Sequence, residues 1–261
     1  MGRIWTLAWG LILVAIGLVF LADTLSNGQV DAGALIGQWW PLILLLLGAA
    51  ILIPALWPGR ATVRTLALDL EGATRAAVRI DFGAGRLRIG RAAPGRLLEG
   101  TFEGGVRSRV DGPGQVRLDP GEDVWWSWRG RGLLWQFGLT GEVPLDLELH
   151  CGASQADLDL SELRPVSLFL STGAAETRVT LPRAAGSSTV RLEAGMAGIR
   201  VRVPEGVAAR IRSQVAMGSV SVATSRFPPA AEGGWASPDY ATAANRVDIS
   251  LQGGLGSLSV E

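Results

Sequence analysis

Residues 168–179, LFLSTGAAETRV, and residues 190–201, VRLEAGMAGIRV, follow one pattern, and this pattern decides the fold. In each stretch, apolar and polar residues alternate up to a small-residue corner, and a second alternating stretch follows it. Alternation with a period of two is typical of β-strands that bury one face. The corner glycines, Gly173 and Gly195, are 22 residues apart, which indicates an internal repeat.

Six copies of this pattern fit the chain after residue 59. Their corner residues are Gly83, Gly152, Gly173, Gly195, Ala216 and Gly254, at successive spacings of 69, 21, 22, 21 and 38. The position two residues later is always small: Gly85, Ser154, Ala175, Ala197, Gly218 and Gly256. Apolar residues occupy the positions five and three before the corner and four and six after it, with Ser213 and a few small or polar residues as exceptions.

A unit of about 21 residues cannot bury its apolar face alone, so neighbouring copies must stack on it. We therefore predict a β-solenoid for residues 60–261, with like residues of successive coils in ladders. The alternative is an antiparallel β-meander or sandwich, in which each corner is a hairpin loop. Gly104 lies 21 residues after Gly83, but its surroundings fit the pattern poorly, so the number of coils in 91–145 stays open.

The first unit, residues 1–59, contains two uncharged runs of nineteen residues, 4–22 and 39–57. Each run is long enough to span the hydrocarbon core as a helix, and tryptophans stand near their ends. We predict a two-helix transmembrane hairpin. A secretory signal is the weaker alternative, because the first apolar run is too long and residues 20–22 form a poor cleavage site.

The arginines predict the orientation of the hairpin. Arg3, Arg60 and Arg64 flank its outer ends, whereas the connection from Asp23 to Gln38 has no basic residue. By the positive-inside rule, both termini are cytoplasmic, and the chain is a two-span protein of the cell membrane.

Composition excludes several functions. With 24 basic and 24 acidic residues, the chain lacks the net positive charge of a nucleic-acid-binding protein. One cysteine, one histidine and no phosphate-binding or metal-binding motif give no support for a cofactor or a metal site. We expect no enzymatic activity.

Two pairs of residues resemble catalytic groups. Cys151 and His150 are adjacent on a strand, so their side chains point to opposite faces, and we predict a buried packing thiol. Asp157 and Asp159 share an outward face, as carboxylates that cleave polysaccharides do. Arginines follow at matching positions on the next coils, so we predict cross-strand ion pairs instead.

Residues 120–140 are irregular in the pattern and rich in tryptophan. The candidate interaction surface within them is Trp125, Trp126, Trp128, Arg129, Arg131 and Trp135. Tryptophan and arginine are enriched at binding hot spots and at membrane interfaces. The segment either docks on a partner or on lipid headgroups, or fills an end or side of the solenoid. A second interruption, residues 223–245, is rich in proline and glycine and predicts an inserted surface loop.

The first sixty residues resemble the LiaI/LiaF-type transmembrane region, through residues 10–13 (GLIL), 17–21 (GLVFL) and 40–44 (WPLIL), with Gly48 following. The glycine-punctuated remainder is similar to the toastrack domain that follows such anchors. The resemblance implies a bacterial envelope-stress component that responds to cell-wall-active antibiotics and couples to a membrane sensor kinase. It offers no catalytic residues.

We therefore expect a non-enzymatic, membrane-anchored regulator that acts by protein–protein interaction. Two alternatives remain at this point. Unpaired strand edges at the solenoid ends predict self-association into a scaffold. An outward-facing domain that binds or cleaves carbohydrate is the other.

Overall fold

The computed structural model describes residues 63–121, 133–184, 186–231 and 233–261. The chain divides into two units, Met1–Gly59 and Arg60–Glu261, and all of the described residues lie in the second. The predicted hairpin, with spans 4–22 and 39–57, therefore lies outside the described residues. Among the residues that are described, no helix has the length and apolar character that crossing a bilayer requires.

The described residues form an all-β domain. Its strands are β1 (Val63–Asp69), β2 (Ala76–Arg91), β3 (Arg96–Glu103), β4 (Val106–Gly112), β5 (Gln115–Pro120), β6 (Leu133–Leu139), β7 (Leu145–Asp159), β8 (Pro165–Thr180), β9 (Ser187–Arg202), β10 (Ala208–Val222), β11 (Trp235–Ala236) and β12 (Arg246–Val260). The six long strands, β2, β7, β8, β9, β10 and β12, correspond to the six copies of the sequence pattern.

Parallel pairing of the six long strands confirms the solenoid. Cys151 pairs with Thr172 and Ala153 with Ala174, so Gly152 of β7 lies beside Gly173 of β8. Equivalent registers join all six copies, and the small residues two positions later also lie side by side. The antiparallel alternative is wrong for these coils, because like residues stack only when neighbouring strands run in the same direction.

Each long strand changes its buried face at the corner. In β2, Val78, Ile80 and Phe82 are buried before the corner, and Leu87 and Ile89 are buried after it. Phe82 and Leu87 are an odd number of positions apart, so the alternation shifts by one residue there. The strand therefore bends into two arms whose apolar residues join one continuous core. We call the residues before the corner the first arm and those after it the second arm.

The order of the coils differs from the order of the sequence at one end. The stack runs β2, β7, β8, β9, β12, β10, so the last long strand lies between β9 and β10. We expected successive copies to be neighbours, and this is wrong for the final two. Ile249 of β12 pairs with both Val190 of β9 and Ile211 of β10, and all three side chains are buried.

The irregular middle contains one divided coil. Val116 and Leu118 of β5 pair with the first arm of β2, and Trp135 and Phe137 of β6 pair with its second arm. The prediction that 120–140 is irregular throughout is thus wrong for Leu133–Leu139. The pattern missed this coil because a long insertion replaces its glycine corner. In the sequence, β5 and β6 come between β2 and β7. In the sheet, the divided coil lies instead on the other side of β2, so β2 and β7 are direct neighbours.

Antiparallel strands cover the divided coil. β3 pairs with β6, β1 pairs with β3, and β4 pairs with β5, all in antiparallel orientation. Gly104 lies in the turn between β3 and β4 with a φ of +77°, so it is a turn residue and not a solenoid corner.

Residues 223–245 close part of the opposite end. Trp235 and Ala236 pair with Ile211 and Arg210 in the first arm of β10, and Ser237 exchanges two hydrogen bonds with Ala209. This segment was predicted as a surface loop, but it caps the first arm of the outermost coil.

Candidate functional site

In the sequence, the Trp-rich insertion stands where the divided coil would have its corner. Leu118 and Trp135 are 17 residues apart, whereas the equivalent Ile80 and Leu87 of β2 are seven apart, so ten residues are inserted. Trp125, Trp126, Trp128, Arg129 and Arg131 lie outside the described residues, but both stems of the insertion are described.

The turn between β3 and β4 holds both stems. On one side, the Gly121 N–H donates to the Gly105 carbonyl at 3.3 Å. On the other side, the Leu134 N–H donates to a carboxylate oxygen of Glu103 at 3.0 Å. A Cβ at Gly104 would lie 2.7 Å from a methyl carbon of Leu133, and the φ of +77° is a backbone conformation that favours glycine, so the position suits glycine where the stem passes. Both described stems of the insertion are therefore anchored to this turn.

Trp135 does not belong to an accessible surface, because it is fully buried. Its ring lies 5.1 Å from Phe82 and 5.2 Å from Phe102, and its indole N–H donates to the Glu103 carbonyl at 3.2 Å. Phe137 stacks on Phe102 in the same cluster. The prediction that Trp135 is a contact residue is therefore wrong. Trp135 anchors the insertion in the core, in agreement with the alternative that the aromatic residues fill part of the solenoid.

Ion pairs cover the outer face of the first arms. Asp146 accepts hydrogen bonds from Arg75 at 2.5 Å and from Ser167 at 2.6 Å, which joins β7 to residues on both of its sides. The Arg75 guanidinium and the Ser167 hydroxyl hold the pKa of Asp146 below its usual value, although partial burial opposes them. Further pairs follow along the same face: Arg79 with Glu148, and Arg117 with Asp81.

An open groove of about 730 Å³ is lined by β1, β3 and β6 together with the second arms of β2, β7 and β8. Asp157 lies in register between Arg88 and Arg178, as the pattern predicted, but forms no ion pair within 4 Å in the described part of the chain. The predicted pairing of Asp157 with Arg178 is thus wrong, because Arg178 donates instead to Glu176 of its own strand at 2.5 Å.

Cys151 and His150 lie on opposite faces, as predicted. Cys151 is buried, and burial raises the pKa of its thiol to about 11. His150 faces outward, with its Nε2 2.7 Å from Glu148. A thiol that is rarely ionised and has no base beside it is a poor nucleophile. Within the described ranges, no group of three or more His, Cys, Asp or Glu side chains could hold a metal ion.

Sequence reasoning missed an apolar ridge on the outside of the corners. Met196, Leu255 and Met217 lie side by side on β9, β12 and β10, and their exposed fractions are 62%, 46% and 68%. The same position is alanine in the coils before them: Ala84, Ala153 and Ala174. The change from alanine to large side chains in this column was the available signal. The ridge ends at β10, the outermost coil.

Comparison with protein-family models assigns the fold seen here. Residues 58–202 match the model described as the N-terminal domain of toast_rack, DUF2154. The chain belongs to the toast-rack family. Residues 7–52 match the LiaI-LiaF-like transmembrane region, so the toast-rack domain follows a membrane region in the same chain. Both matches confirm the resemblance seen in the sequence. The toast-rack match ends at the close of β9, so β10, the cap and β12 lie beyond it.

A solved structure shares the toast-rack fold of this chain. It is a candidate cell adhesion protein from Clostridium sporogenes ATCC 15579, with 18% identity and a TM-score of 0.67, covering 77% of this chain and 98% of that chain. A candidate adhesin from Bacteroides fragilis NCTC 9343 has 8% identity over 77% of this chain and 97% of that chain. Its TM-score of 0.20 does not indicate a shared fold. No curated protein matches the chain.

Proposed function

We propose that this protein is a non-enzymatic, membrane-anchored regulator of the bacterial envelope-stress response, acting through contact with a membrane sensor kinase. The observation that carries the proposal is the order of the two matched regions. A LiaI-LiaF-like transmembrane region occupies 7–52, and a toast-rack domain begins at 58. A short connection between them ties any partner of the domain to the same membrane.

The anchor in this proposal is the two-span hairpin, 4–22 and 39–57, with both termini in the cytoplasm. Arginines at the outer ends of the hairpin, and their absence from 23–38, support this orientation. It places the toast-rack domain on the side of the membrane where the catalytic parts of sensor kinases act.

The partner contact in this proposal is the Trp-rich insertion, through Trp125, Trp126, Trp128, Arg129 and Arg131. Trp and Arg dominate the binding energy of many interfaces. Anchoring of both stems near Glu103 and of Trp135 in the core supports the idea, because an anchored loop loses less entropy on binding.

The candidate groups for chemistry support a role without catalysis. The Cys151 thiol is buried with a raised pKa, and the ring nitrogen of His150 is engaged by Glu148 on the other face. Neither arrangement activates a nucleophile.

The test replaces Trp125, Trp126 and Trp128 with serine in the full-length protein. We expect loss of kinase co-purification from membranes and a changed reporter response to a cell-wall antibiotic. The matched control is the double variant Arg200→Ala/Arg202→Ala, which removes exposed arginines from the outer face of a regular coil. Unchanged co-purification and response in the serine variant, or equal loss in the control, would contradict the proposal.

The groove on the second arms favours a second candidate, carbohydrate binding at the outside of the cell. Asp157 and Arg88 lie in this groove, and the structural relative is a candidate cell adhesion protein. This candidate needs the domain outside the membrane. A cysteine at the exposed Ser257, treated with a membrane-impermeant maleimide in intact cells, distinguishes the two. Labelling favours carbohydrate binding, and labelling only after lysis favours the regulator.

A further inference from the structure

The second arm of β10 is an open strand edge at one end of the stack, as far as the described residues show. The second arm of β10 pairs on one side with β12, from Met217 with Leu255 to Val222 with Val260. On its other side, residues 216–222 pair with no residue of the described ranges, since β11 reaches only Arg210 and Ile211. The cap formed by 223–245 thus closes the first arm of this coil and leaves the second arm open.

This open edge lacks the features that protect strand edges. Residues 216–222 read AMGSVSV, with no charge and no proline. Natural edge strands are usually protected by charged residues, proline, bulges or a covering segment, because an unprotected edge pairs with other strands. At the opposite end of the stack, the edge strand β1 carries Arg64 and Asp69, and the edge strand β4 carries Arg107, Arg109 and Asp111.

We propose that the second arm of β10 pairs with the same arm of a second copy of this chain. The two strands run antiparallel across a two-fold axis and join two solenoids end to end. The apolar ridge of Met217, Leu255 and Met196 flanks the seam in both copies. The inference goes beyond the regulator role and needs no kinase.

Charge complementarity identifies the second copy as the occupant. Two AMGSVSV strands bring no charges together in any antiparallel register within 216–222. Repeated head-to-tail stacking would instead place this edge against β1, the edge strand at the other end of the second arms, which carries Arg64 and Asp69. A two-fold contact uses the open edge of both copies, so it closes at a dimer.

The contact is small. Seven residues of strand bury less area than the roughly 1,200–2,000 Å² of a standard stable interface, so the affinity in solution is low. Confinement of both copies to one membrane raises their effective concentration and compensates for this. The test therefore uses the full-length protein in lipid.

A cysteine scan tests the register directly. Each residue from 216 to 222 is replaced singly by cysteine in full-length protein reconstituted into liposomes, and disulfides are formed with a mild oxidant. A residue on the two-fold axis lies about 5 Å from its own copy, and a residue two positions away lies about 14 Å away. A disulfide requires Cα atoms within about 7 Å, so we expect one sharp maximum of cross-linked dimer.

The matched control is Ser257→Cys, because Ser257 is also exposed and pairs with Ser219 one coil further in. We expect at least fivefold more dimer at the scan maximum than in this control. A flat profile, no dimer at any of the seven positions, or an equal yield in the control overturns the proposal.

Charge at the edge provides the second test. Ser219→Lys/Ser221→Lys should abolish cross-linking at the scan maximum, and the inner pair Ser257→Lys/Ser259→Lys should preserve it. If the edge variant cross-links as before with an unchanged thermal transition, the proposal is wrong. In whole membranes, a cross-linked band of a mass other than the dimer would mean a different occupant and would also overturn it.

Discussion

Gly152→Ala tests whether like corners lie directly against each other. A Cβ at Gly152 would lie 2.4 Å from the carbonyl oxygen of Gly83 on the neighbouring coil. That distance is roughly 1 Å short of van der Waals contact. The backbone hydrogen bonds on either side of the corner hold the two coils together, so the strain cannot be relieved by moving one side chain. Overpacking of this kind costs about 1–3 kcal/mol.

The matched control for this prediction is Gly83→Ala in the same column. A Cβ at Gly83 has no atom of the described residues within 4 Å, and the φ of Gly83 lies outside the left-handed region. Alanine there reduces the entropy of the unfolded chain and is expected to be neutral or to stabilise by about 0.4–1 kcal/mol. Two identical substitutions at paired positions therefore have opposite expected effects.

Thermal unfolding of the full-length protein in detergent, followed by circular dichroism, measures the difference. For a domain of this size, 1 kcal/mol changes Tm by roughly 2–4 °C. We expect Gly152→Ala to lower Tm by about 2–12 °C and Gly83→Ala to leave it unchanged or slightly raised. Equal Tm values for the two variants would refute the stacking argument.

Three further predictions concern single side chains. Trp135→Ala should destabilise the domain by about 3–5 kcal/mol, because it empties a fully buried aromatic site; urea unfolding measures this, and a loss below 1 kcal/mol would contradict its place in the core. With a pKa of about 11, the Cys151 thiol should resist a thiol reagent at pH 8 and react only after unfolding, and rapid labelling of the folded protein would show that it is accessible. The pKa of Asp146 is lowered in the folded state, so its contribution to stability is present above the unfolded pKa and lost as the pH falls through the folded pKa. Urea unfolding from pH 6 to pH 2 should therefore show a smaller decrease in the free energy of unfolding for Asp146→Asn than for the wild type. The difference should be up to about 1 kcal/mol, because Arg75 is exposed. Identical pH profiles would exclude this pair as a source of acid sensitivity.

Much of the solenoid was predictable from the spacing of small corner residues. Gly173 and Gly195 have equivalent neighbours in the sequence. Parallel stacking of the two copies places each residue beside the residue at the same repeat position. Leu170 and Leu192 are buried as the alternation predicted. The prediction worked because the side-chain period of a strand fixes which face is buried once the corner is located.

The order of the last two coils could not be predicted from that pattern. Every copy has small and apolar residues at the same positions relative to its corner. The pattern alone therefore allows any copy to stack on any other. One signal was present in β10, where Ser213 replaces the apolar residue that the other copies have three positions before the corner. Polar residues of this kind suit an outermost coil, which is covered on one side only.

The divided coil was missed for a different reason. Val116 and Leu118, followed by Trp135 and Phe137, fit the apolar columns, but no small corner joins them. For the candidate site, composition alone identified the Trp-rich insertion, but it could not separate Trp135 from the other tryptophans. Burial depends on the strand to which a residue belongs, and the repeat pattern does not assign Trp135 to a strand.

The position of β12 between β9 and β10 sets a condition on synthesis. The ribosome synthesises β9 and β10 before β12, so β10 cannot pair with its final neighbour until residues 246–260 have been made. If β10 paired with β9 before β12 was made, β12 would have no free strand edges to pair with at its native position. The hydrogen bonds between β9 and β10 would then have to break before β12 could insert. Residues 246–260 are therefore the last part of the solenoid core that synthesis supplies, although they lie inside the stack.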